Sequence, residues 1–130
     1  MLLVDTNIFR EVVLFQDKKE QCGKFLNQLR DGKKTGVVTD FSIHSIIVIM
    51  GSLGKLQELR MFLLSLTAYK GLKIYHTTLT DEVNATEIAK TKKLDMDDAL
   101  QYSVALALNA EAIVSLDRHF NSLKIPRKEP

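Results

Sequence analysis

The 130-residue sequence has a single cysteine, so it cannot form an internal disulfide bond. Cys22 lies in a helical pattern of apolar residues, which predicts a small core side chain rather than a reactive thiol. No apolar run approaches the roughly 18 residues of a membrane span. The amino terminus reaches Asp5 without a basic region or a long apolar region. We therefore expect no signal peptide and a cytoplasmic location.

Charge of one sign is also scarce, because 18 Lys and Arg residues nearly balance 16 Asp and Glu residues and leave a formal charge of +2. So small an excess neither requires nor excludes a nucleic-acid partner, and any basic binding surface has to be local. The sequence contains no glycine-rich phosphate loop, no zinc-ligand spacing and no serine nucleophile elbow. The motifs of three common classes of enzyme site are therefore missing.

Apolar residues make up 45% of the chain, which is enough for one hydrophobic core, and we predict one domain over residues 1–130. Short apolar runs predict four strands, at Leu2–Val4, Gly36–Thr39, Leu72–Tyr75 and Ala112–Ser115. A further edge strand is expected around Leu123–Ile125, in a tail that is otherwise loose.

Helical patterns separate these strands, at residues 18–30, 43–50, 56–70, 80–93 and 99–109. In this interpretation Asp40 caps the second helix, Thr80 the fourth and Asp97 or Asp98 the fifth. Asp5 to Asn7 reads as a polar turn. Strands that alternate with helices are typical of an α/β fold, so we predict a three-layer α/β/α arrangement with a central parallel sheet of four or five strands.

Polar residues follow the predicted strands at the points where the strands end. Asp5 follows the first strand and Asp117 follows the fourth, while Asp98 opens the helix that leads into the fourth. Ligands of open parallel sheets bind outside the carboxyl ends of the strands. We therefore expect these three carboxylates to converge, which requires the first strand to be central in the sheet.

Clustered carboxylates repel each other and raise one another's pKa values unless a cation neutralises them. Hard oxygen ligands with open coordination positions suit Mg²⁺ or Mn²⁺. Such an ion can activate a water for attack on a phosphodiester, and a second ion can stabilise the leaving oxygen. The three acids are therefore candidate ligands of a catalytic metal.

Each acid also has a structural explanation, because Asp is a frequent helix cap and turn residue. Taken one at a time the acids favour that explanation, and it is their shared edge that favours a site. His44, in the first turn of an apolar helix, is expected to be packed or hydrogen-bonded. His76 and His119 lie in predicted loops and carry no functional signal.

Three segments of the sequence resemble the motifs of the PIN domain family. Leu3 to Ile8 is similar to the opening motif of that family, Asp97 to Gln101 with Ala105 to its third-acid helix, and Ile113 to Phe120 to its closing strand and fourth-acid turn. Each motif alone is weak, whereas the three in this order over nearly the whole chain are fairly specific.

The resemblance implies a metal-dependent ribonuclease that uses Mg²⁺ or Mn²⁺, with Asp5, Asp98 and Asp117 as catalytic metal ligands. It also implies supporting roles for Asn7 and Ser115. Many members are toxins of type II toxin–antitoxin pairs and many form homodimers, so RNA, an antitoxin protein and a second copy of the chain are the expected partners.

The sequence departs from the family pattern at one acid. The family has a glutamate early in the helix after the second strand, and here its position falls at or beside Ser45. Asp40, at the same strand end, is a candidate replacement. The missing acid keeps a second hypothesis open, a PIN-like module that binds RNA or protein without cutting.

The segment Leu53 to Leu66 is dense in Leu and Phe. It is the basis for predicting a homodimer, and it leaves a purely structural dimerisation domain as a third hypothesis, although such a segment is more often core. A dinucleotide-binding fold shares the architecture, but it needs glycines where this chain has Asp5, Thr6 and Asn7.

Overall fold

The computed structural model describes residues 1–130 and contains five strands, six α-helices and one short 3₁₀ helix. The strands are β1 (Leu2–Val4), β2 (Gly36–Thr39), β3 (Leu72–Tyr75), β4 (Ala112–Val114) and β5 (Arg127–Lys128). The helices are α1 (Thr6–Val13), α2 (Lys19–Arg30), α3 (Asp40–Ser52), α4 (Leu56–Leu66), α5 (Leu79–Lys92) and α6 (Met96–Ala107), and the 3₁₀ helix is Arg118–Phe120. None of these helices combines the length and the apolar character needed to cross a membrane.

The five strands form one sheet in the order β3-β2-β1-β4-β5. Every neighbouring pair is parallel. β1 is central, as predicted, because it pairs with β2 on one side and with β4 on the other. All carboxyl ends therefore lie at one edge, and the residues that follow β1 and β4 are neighbours across that edge.

Helices cover both faces of the sheet. Successive strand residues point to opposite faces, so one strand contributes side chains to two separate core clusters. Val4, Val38 and Val114 belong to a core cluster that also contains side chains of α1, α2, α3 and α4. Leu3, Val37 and Ile113 belong to a second cluster, which contains side chains of α6. The predicted three-layer α/β/α fold is thereby confirmed. Cys22 is fully buried in the first cluster, as expected of a core side chain.

A helix follows β1 directly, where a polar turn was predicted. Asp5 is the N-cap of α1, and its carboxylate accepts a hydrogen bond from the backbone N–H of Thr6. Ile8 and Phe9, adjacent in sequence, turn one face of α1 into the core, where both are buried. The prediction was wrong because the polar start of this segment, Asp5 to Asn7, outweighed the apolar residues behind it.

Three predicted helix caps are also wrong by one to three residues. Thr39 caps α3 in place of Asp40, because its hydroxyl accepts from the N–H of Ser42. Thr78 caps α5 in place of Thr80, in a capping box with Asp81. α6 begins after Asp95, so Asp98 lies inside its first turn rather than at its cap.

The carboxy-terminal tail is ordered as strand β5, which pairs with β4 at Arg127 and Lys128 rather than around Leu123 to Ile125 as predicted. The Arg127 guanidinium explains the difference. It donates to the carbonyl of Ser115 at 3.0 Å and to Asn121 Oδ1 at 2.7 Å, which fixes the tail beside the end of β4.

Candidate metal centre

A pocket of about 570 Å³ opens at the carboxyl edge of the sheet. Its walls come from α1, α3, the start of α6 and the turn after β4. Asp5, Asp98 and Asp117 all line it, so the three acids do face one pocket despite their separation in sequence. The pocket is strongly acidic, because Asp95 and Asp97 line it as well.

Asp5 is the most deeply buried of these acids, with 5% of its surface exposed. One carboxylate oxygen accepts from the Thr6 N–H at 2.8 Å, and the other accepts from the Ser115 hydroxyl at 2.6 Å. Burial raises the pKa of Asp5 to about 6, although the hydrogen bonds from Ser115 and Thr6 oppose the shift. The negative charge of Asp117 adds to it. Asp5 is thus both a helix cap and a destabilised charge facing the pocket.

Asp98 and Asp117 form a cluster with His119. The Nδ1 of His119 lies 3.3 Å from Asp98 Oδ2 and 3.1 Å from Asp117 Oδ1. Burial, followed by the charges of Asp117 and Asp5, raises the pKa of Asp98 to about 6. The hydrogen bond to Asp98 and the charge of Asp117 in turn raise the pKa of His119. Two carboxylates and an imidazole, which are all possible metal ligands, thus meet at the junction of α6 and the turn after β4.

His119 is a site residue that the sequence reasoning missed. His119 lies in a loop, where no helical or strand periodicity shows which way a side chain points. It is also too far from Asp98 in the sequence for the two residues to form a recognisable metal-ligand motif. Asp117 Oδ1 accepts from the backbone N–H of His119 at 2.8 Å, which starts the 3₁₀ helix and turns the imidazole back over the acids. The only available signal was its place two residues after a candidate acid.

Ser115 connects the supporting residues. Its hydroxyl donates to Asp5, and it accepts from Asn7 Nδ2 at 3.3 Å and from the backbone N–H of Asp117 at 2.9 Å. Asn7 also accepts from the backbone N–H of Leu116 at 3.4 Å. Ser115 and Asn7 therefore tie the end of β1 to the turn that carries Asp117, and both lie where a supporting role was expected.

Asp40 faces away from the pocket. Its Oδ1 accepts from the backbone N–H of Thr77 at 3.1 Å and from the Thr77 hydroxyl at 2.8 Å, and the imidazole of His76 is 3.7 Å from its other oxygen. Although burial alone would raise it, these hydrogen bonds lower the pKa of Asp40. Asp40 anchors α3 to the segment before α5, so the structure does not bring this candidate replacement to the acids.

Ser45, at or beside which the family's glutamate position falls, lines the pocket. His44 lines it too and is exposed, so the expectation that His44 is packed was wrong. Gln101, which also lines the pocket, is a buried polar residue that the sequence did not indicate. Gln101 Nε2 donates to the hydroxyls of Ser42 at 2.6 Å and Thr6 at 3.2 Å, and Thr39 donates to its carbonyl oxygen at 3.4 Å.

The donor set fits a divalent cation. Asp98, Asp117 and His119 each offer a ligand atom, and these three atoms lie within 4.8 Å of one another, whereas Asp5 lines the same pocket but does not belong to this group. The raised pKa values of Asp5 and Asp98 mean that ionising both is unfavourable with no positive charge present. A cation held at this place would relieve that cost, and carboxylate oxygens with an imidazole suit Mn²⁺ or another divalent transition metal as well as Mg²⁺.

Comparison with known families gives one match, to the PIN domain, over residues 2–126. A comparison with curated protein sequences gives no significant match.

Solved structures give several matches to the whole fold. A toxin–antitoxin complex from Klebsiella pneumoniae is 16% identical, with a TM-score of 0.70 over 95% of this chain and 93% of that one. VapC20 of Mycobacterium tuberculosis, a toxin that cleaves the sarcin–ricin loop, is 11% identical, with a TM-score of 0.79 and full coverage of both chains. VapBC2 of Rickettsia felis, solved with a DNA fragment of its promoter, is 17% identical, with a TM-score of 0.71 over 98% of this chain and 97% of that one. At these identities the similarity establishes the fold alone.

Proposed function

This chain belongs to the PIN domain family, and from that membership we propose that it is a metal-dependent ribonuclease that hydrolyses phosphodiester bonds of single-stranded RNA. One observation carries the proposal most directly. Asp5, Asp98 and Asp117 reach a single pocket from three separate elements, and two of them have pKa values raised to about 6. A fold seldom retains such unfavourable charge unless function requires it.

Asp5, Asp98 and Asp117 are the proposed ligands of Mg²⁺ or Mn²⁺, and we add His119 to this set. When bound, the ion would polarise a phosphoryl oxygen of the substrate and would lower the pKa of a bound water. The chain itself fixes the ligands. The Ser115 hydroxyl holds Asp5, and the start of the 3₁₀ helix holds Asp117. The contact with the Asp98 carboxylate holds the imidazole of His119 and raises its pKa.

The imidazole compensates in part for the missing glutamate. It occupies a different side of the pocket from Ser45, since it belongs to the turn after β4 and Ser45 belongs to α3. A site with three carboxylates and one imidazole carries less negative charge than one with four carboxylates. We therefore propose weak metal binding, with Mn²⁺ preferred over Mg²⁺ in keeping with the usual order of divalent ions and the presence of a nitrogen ligand.

The test is cleavage of a mixed-sequence single-stranded RNA by the purified chain in Mn²⁺, in Mg²⁺ and with a chelator. We expect slow cleavage that is faster in Mn²⁺ and absent with the chelator, because the acids alone cannot neutralise the developing charge. A preparation of Asp98→Asn made in parallel controls for a contaminating nuclease. Cleavage that persists in chelator, or that the variant retains, would contradict the proposal.

An antitoxin protein is the proposed partner. Two of the three similar structures are described as a toxin–antitoxin complex or a VapBC pair, and the third as a toxin. The chain has an apolar groove of about 470 Å³ between α1, α2 and α4, lined by Phe9, Phe15, Met61 and Phe62 among others. We propose this chain as the toxin of a type II pair on that basis.

A homodimer is also proposed, from the apolar surface around α4. Leu53, Leu56, Met61 and Leu64 are each more than half exposed, while Leu59 and Leu66 are buried. The segment that is dense in Leu and Phe is therefore only partly core, and several large apolar side chains exposed on one short segment are typical of a contact site. Sedimentation at micromolar concentration should give a dimer, and Leu56→Asp with Leu64→Asp should shift it to a monomer. A monomeric wild-type chain would contradict the proposal.

A binding module without activity is the second candidate function, and the absence of a glutamate early in α3 favours it. The cleavage assay separates the two. If the chain cuts no RNA with either metal, and Asp5→Asn binds RNA as tightly as the wild type, the binding module is the better description.

A further inference from the structure

A single guanidinium lies in the acidic pocket without a protein partner. Arg10, on α1, is the only Lys or Arg among the residues that line the pocket, beside five aspartates. Its Nε is buried and has no hydrogen-bond partner. No carboxylate lies within ion-pair distance of Arg10, since the ion pairs of the chain all involve other residues.

The buried Nε–H is energetically unfavourable, whereas the terminal N–H groups of the guanidinium are not buried and make no hydrogen bond within the chain, so they are free to bind a ligand in the pocket. A buried polar N–H without a partner costs about 1–3 kcal/mol, and more when the group is charged. The charge of Arg10 lowers the pKa of Asp5 although the two side chains do not form an ion pair. If the only role of Arg10 were to neutralise Asp5, an ion pair between the two side chains would be the most stable arrangement. Arg10 does not form that ion pair.

We propose that Arg10 binds a phosphate group of the substrate, beside the phosphodiester that is cut. A guanidinium presents parallel N–H donors that match two oxygens of a phosphate, and it keeps its charge at every physiological pH. The five aspartates repel a polyanion, so the only Lys or Arg in the wall is the residue that selects and orients the RNA backbone. The inference rests on the proposed function, because it takes RNA as the ligand of this pocket.

The position of Arg10 on α1 supports this role. α1 starts at Asp5, so a rigid helical segment of a few residues connects the cation to the deepest acid. Phe9, the residue before Arg10, is buried and packs edge-to-face on Phe62 of α4, which fixes the orientation of this turn of the helix. A phosphate on Arg10 is thereby held at a set distance from the metal ligands.

The experiment compares Arg10→Gln and Arg10→Lys with the wild type, and Arg30→Gln serves as the matched control. Arg30 is an exposed residue of α2 that pairs only with Asp31, so its substitution removes the same charge outside the pocket. Binding of a fluorescent single-stranded RNA is measured in chelator over a range of salt concentrations. Initial cleavage rates are measured in Mn²⁺, and thermal unfolding checks that each variant is folded.

We expect Arg10→Gln to weaken RNA binding about tenfold or more and to reduce the slope of log affinity against log salt by about 0.7, the value for one phosphate contact on a single strand. Arg10→Lys should keep the salt slope and recover part of the affinity, because it retains the charge and loses the paired donors. In Mn²⁺ the KM of Arg10→Gln should rise more than its kcat falls. A residue that only supports the fold would leave the salt slope unchanged.

An unchanged affinity and salt slope in Arg10→Gln, an equal loss in Arg30→Gln, or no RNA binding by the wild-type chain would each overturn the inference. Its failure is distinguishable from that of the proposed function. If the wild type cleaves RNA and Arg10→Gln has the same KM and salt slope, only the role of Arg10 fails. If no chain cleaves RNA but binding depends on Arg10, the nuclease proposal fails and the phosphate contact remains.

Discussion

Asp98→Asn should slow RNA cleavage in Mn²⁺ by at least about a thousandfold, which corresponds to about 4 kcal/mol of transition-state stabilisation. The amide preserves the shape of the side chain and removes the charge that holds the cation. Asp98 is the acid for which this loss should be cleanest, because no backbone N–H is capped by its side chain. Asp5 and Asp117, by contrast, each cap the segment that follows them.

Asp97→Asn is the matched control for this variant. Asp97 precedes Asp98 in the first turn of α6, is exposed, and has no hydrogen-bond or ion-pair partner. The two substitutions make the same chemical change one residue apart, so general effects of charge on RNA binding or on the helix should appear in both. A similar loss of cleavage in the two variants would contradict the assignment of Asp98 as a metal ligand.

Asp98→Asn should also unfold at a higher temperature than the wild type at pH 7.5 in chelator, and most of the difference should disappear by pH 4. The reason is the raised pKa of Asp98, about 6 in the folded chain against an ordinary value of 3.8. A group with a raised pKa binds its proton more tightly when folded, so the wild type loses stability as the pH rises through that range. Below the ordinary pKa the carboxyl is protonated in both the folded and the unfolded chain, so it no longer lowers the stability of the wild type.

The expected size follows from about two pKa units at 1.36 kcal/mol each, which sets an upper bound of roughly 3 kcal/mol. The helix dipole at the start of α6 favours the carboxylate by about 0.3–1 kcal/mol, so a net gain of at most about 2–3 kcal/mol is expected for the variant. Thermal unfolding followed by circular dichroism at both pH values gives the comparison. Mn²⁺ should then reverse the order, because it stabilises only the chain that binds it.

If Asp98 were a structural residue of the helix start, the result would be the opposite. The variant would be as stable as the wild type or less stable at pH 7.5, and Mn²⁺ would affect both equally. A variant that gains stability while it loses activity is the pattern expected where a fold retains unfavourable charge for function. The stability comparison needs no RNA, so it tests the metal site independently of the substrate.

The architecture of this chain and the location of its acids could be predicted from the sequence alone. Short apolar runs such as Leu2–Val4 and Ala112–Val114 form parallel strands because they are apolar on both faces. A residue that follows such a strand reaches the ligand-binding edge through local geometry alone. For this reason Asp5 and Asp117 could be placed at the pocket before any contact was known.

The helix starts were predicted less well, because several polar residues compete for each cap. Thr39 and Asp40 are adjacent, and both are good caps. Thr39 is the cap because the Asp40 carboxylate is already bound by Thr77, whose N–H and hydroxyl come from another segment of the chain. A partner 37 residues away leaves no local trace in the sequence, so the orientation of Asp40 could not be deduced from it.

The surroundings of the acids, by contrast, depend on how distant segments of the chain pack together. His119 reaches Asp98 across 21 residues, Gln101 reaches Thr6 across 95, and Ser115 reaches Asp5 across 110. Burial is also a property of the packed chain, and it is the largest cause of the raised pKa values of Asp5 and Asp98. Strand ends are set by short-range pattern, whereas side-chain partners and desolvation depend on which segments pack together. The position of the site is therefore a matter of sequence, and its electrostatic character is a matter of the fold.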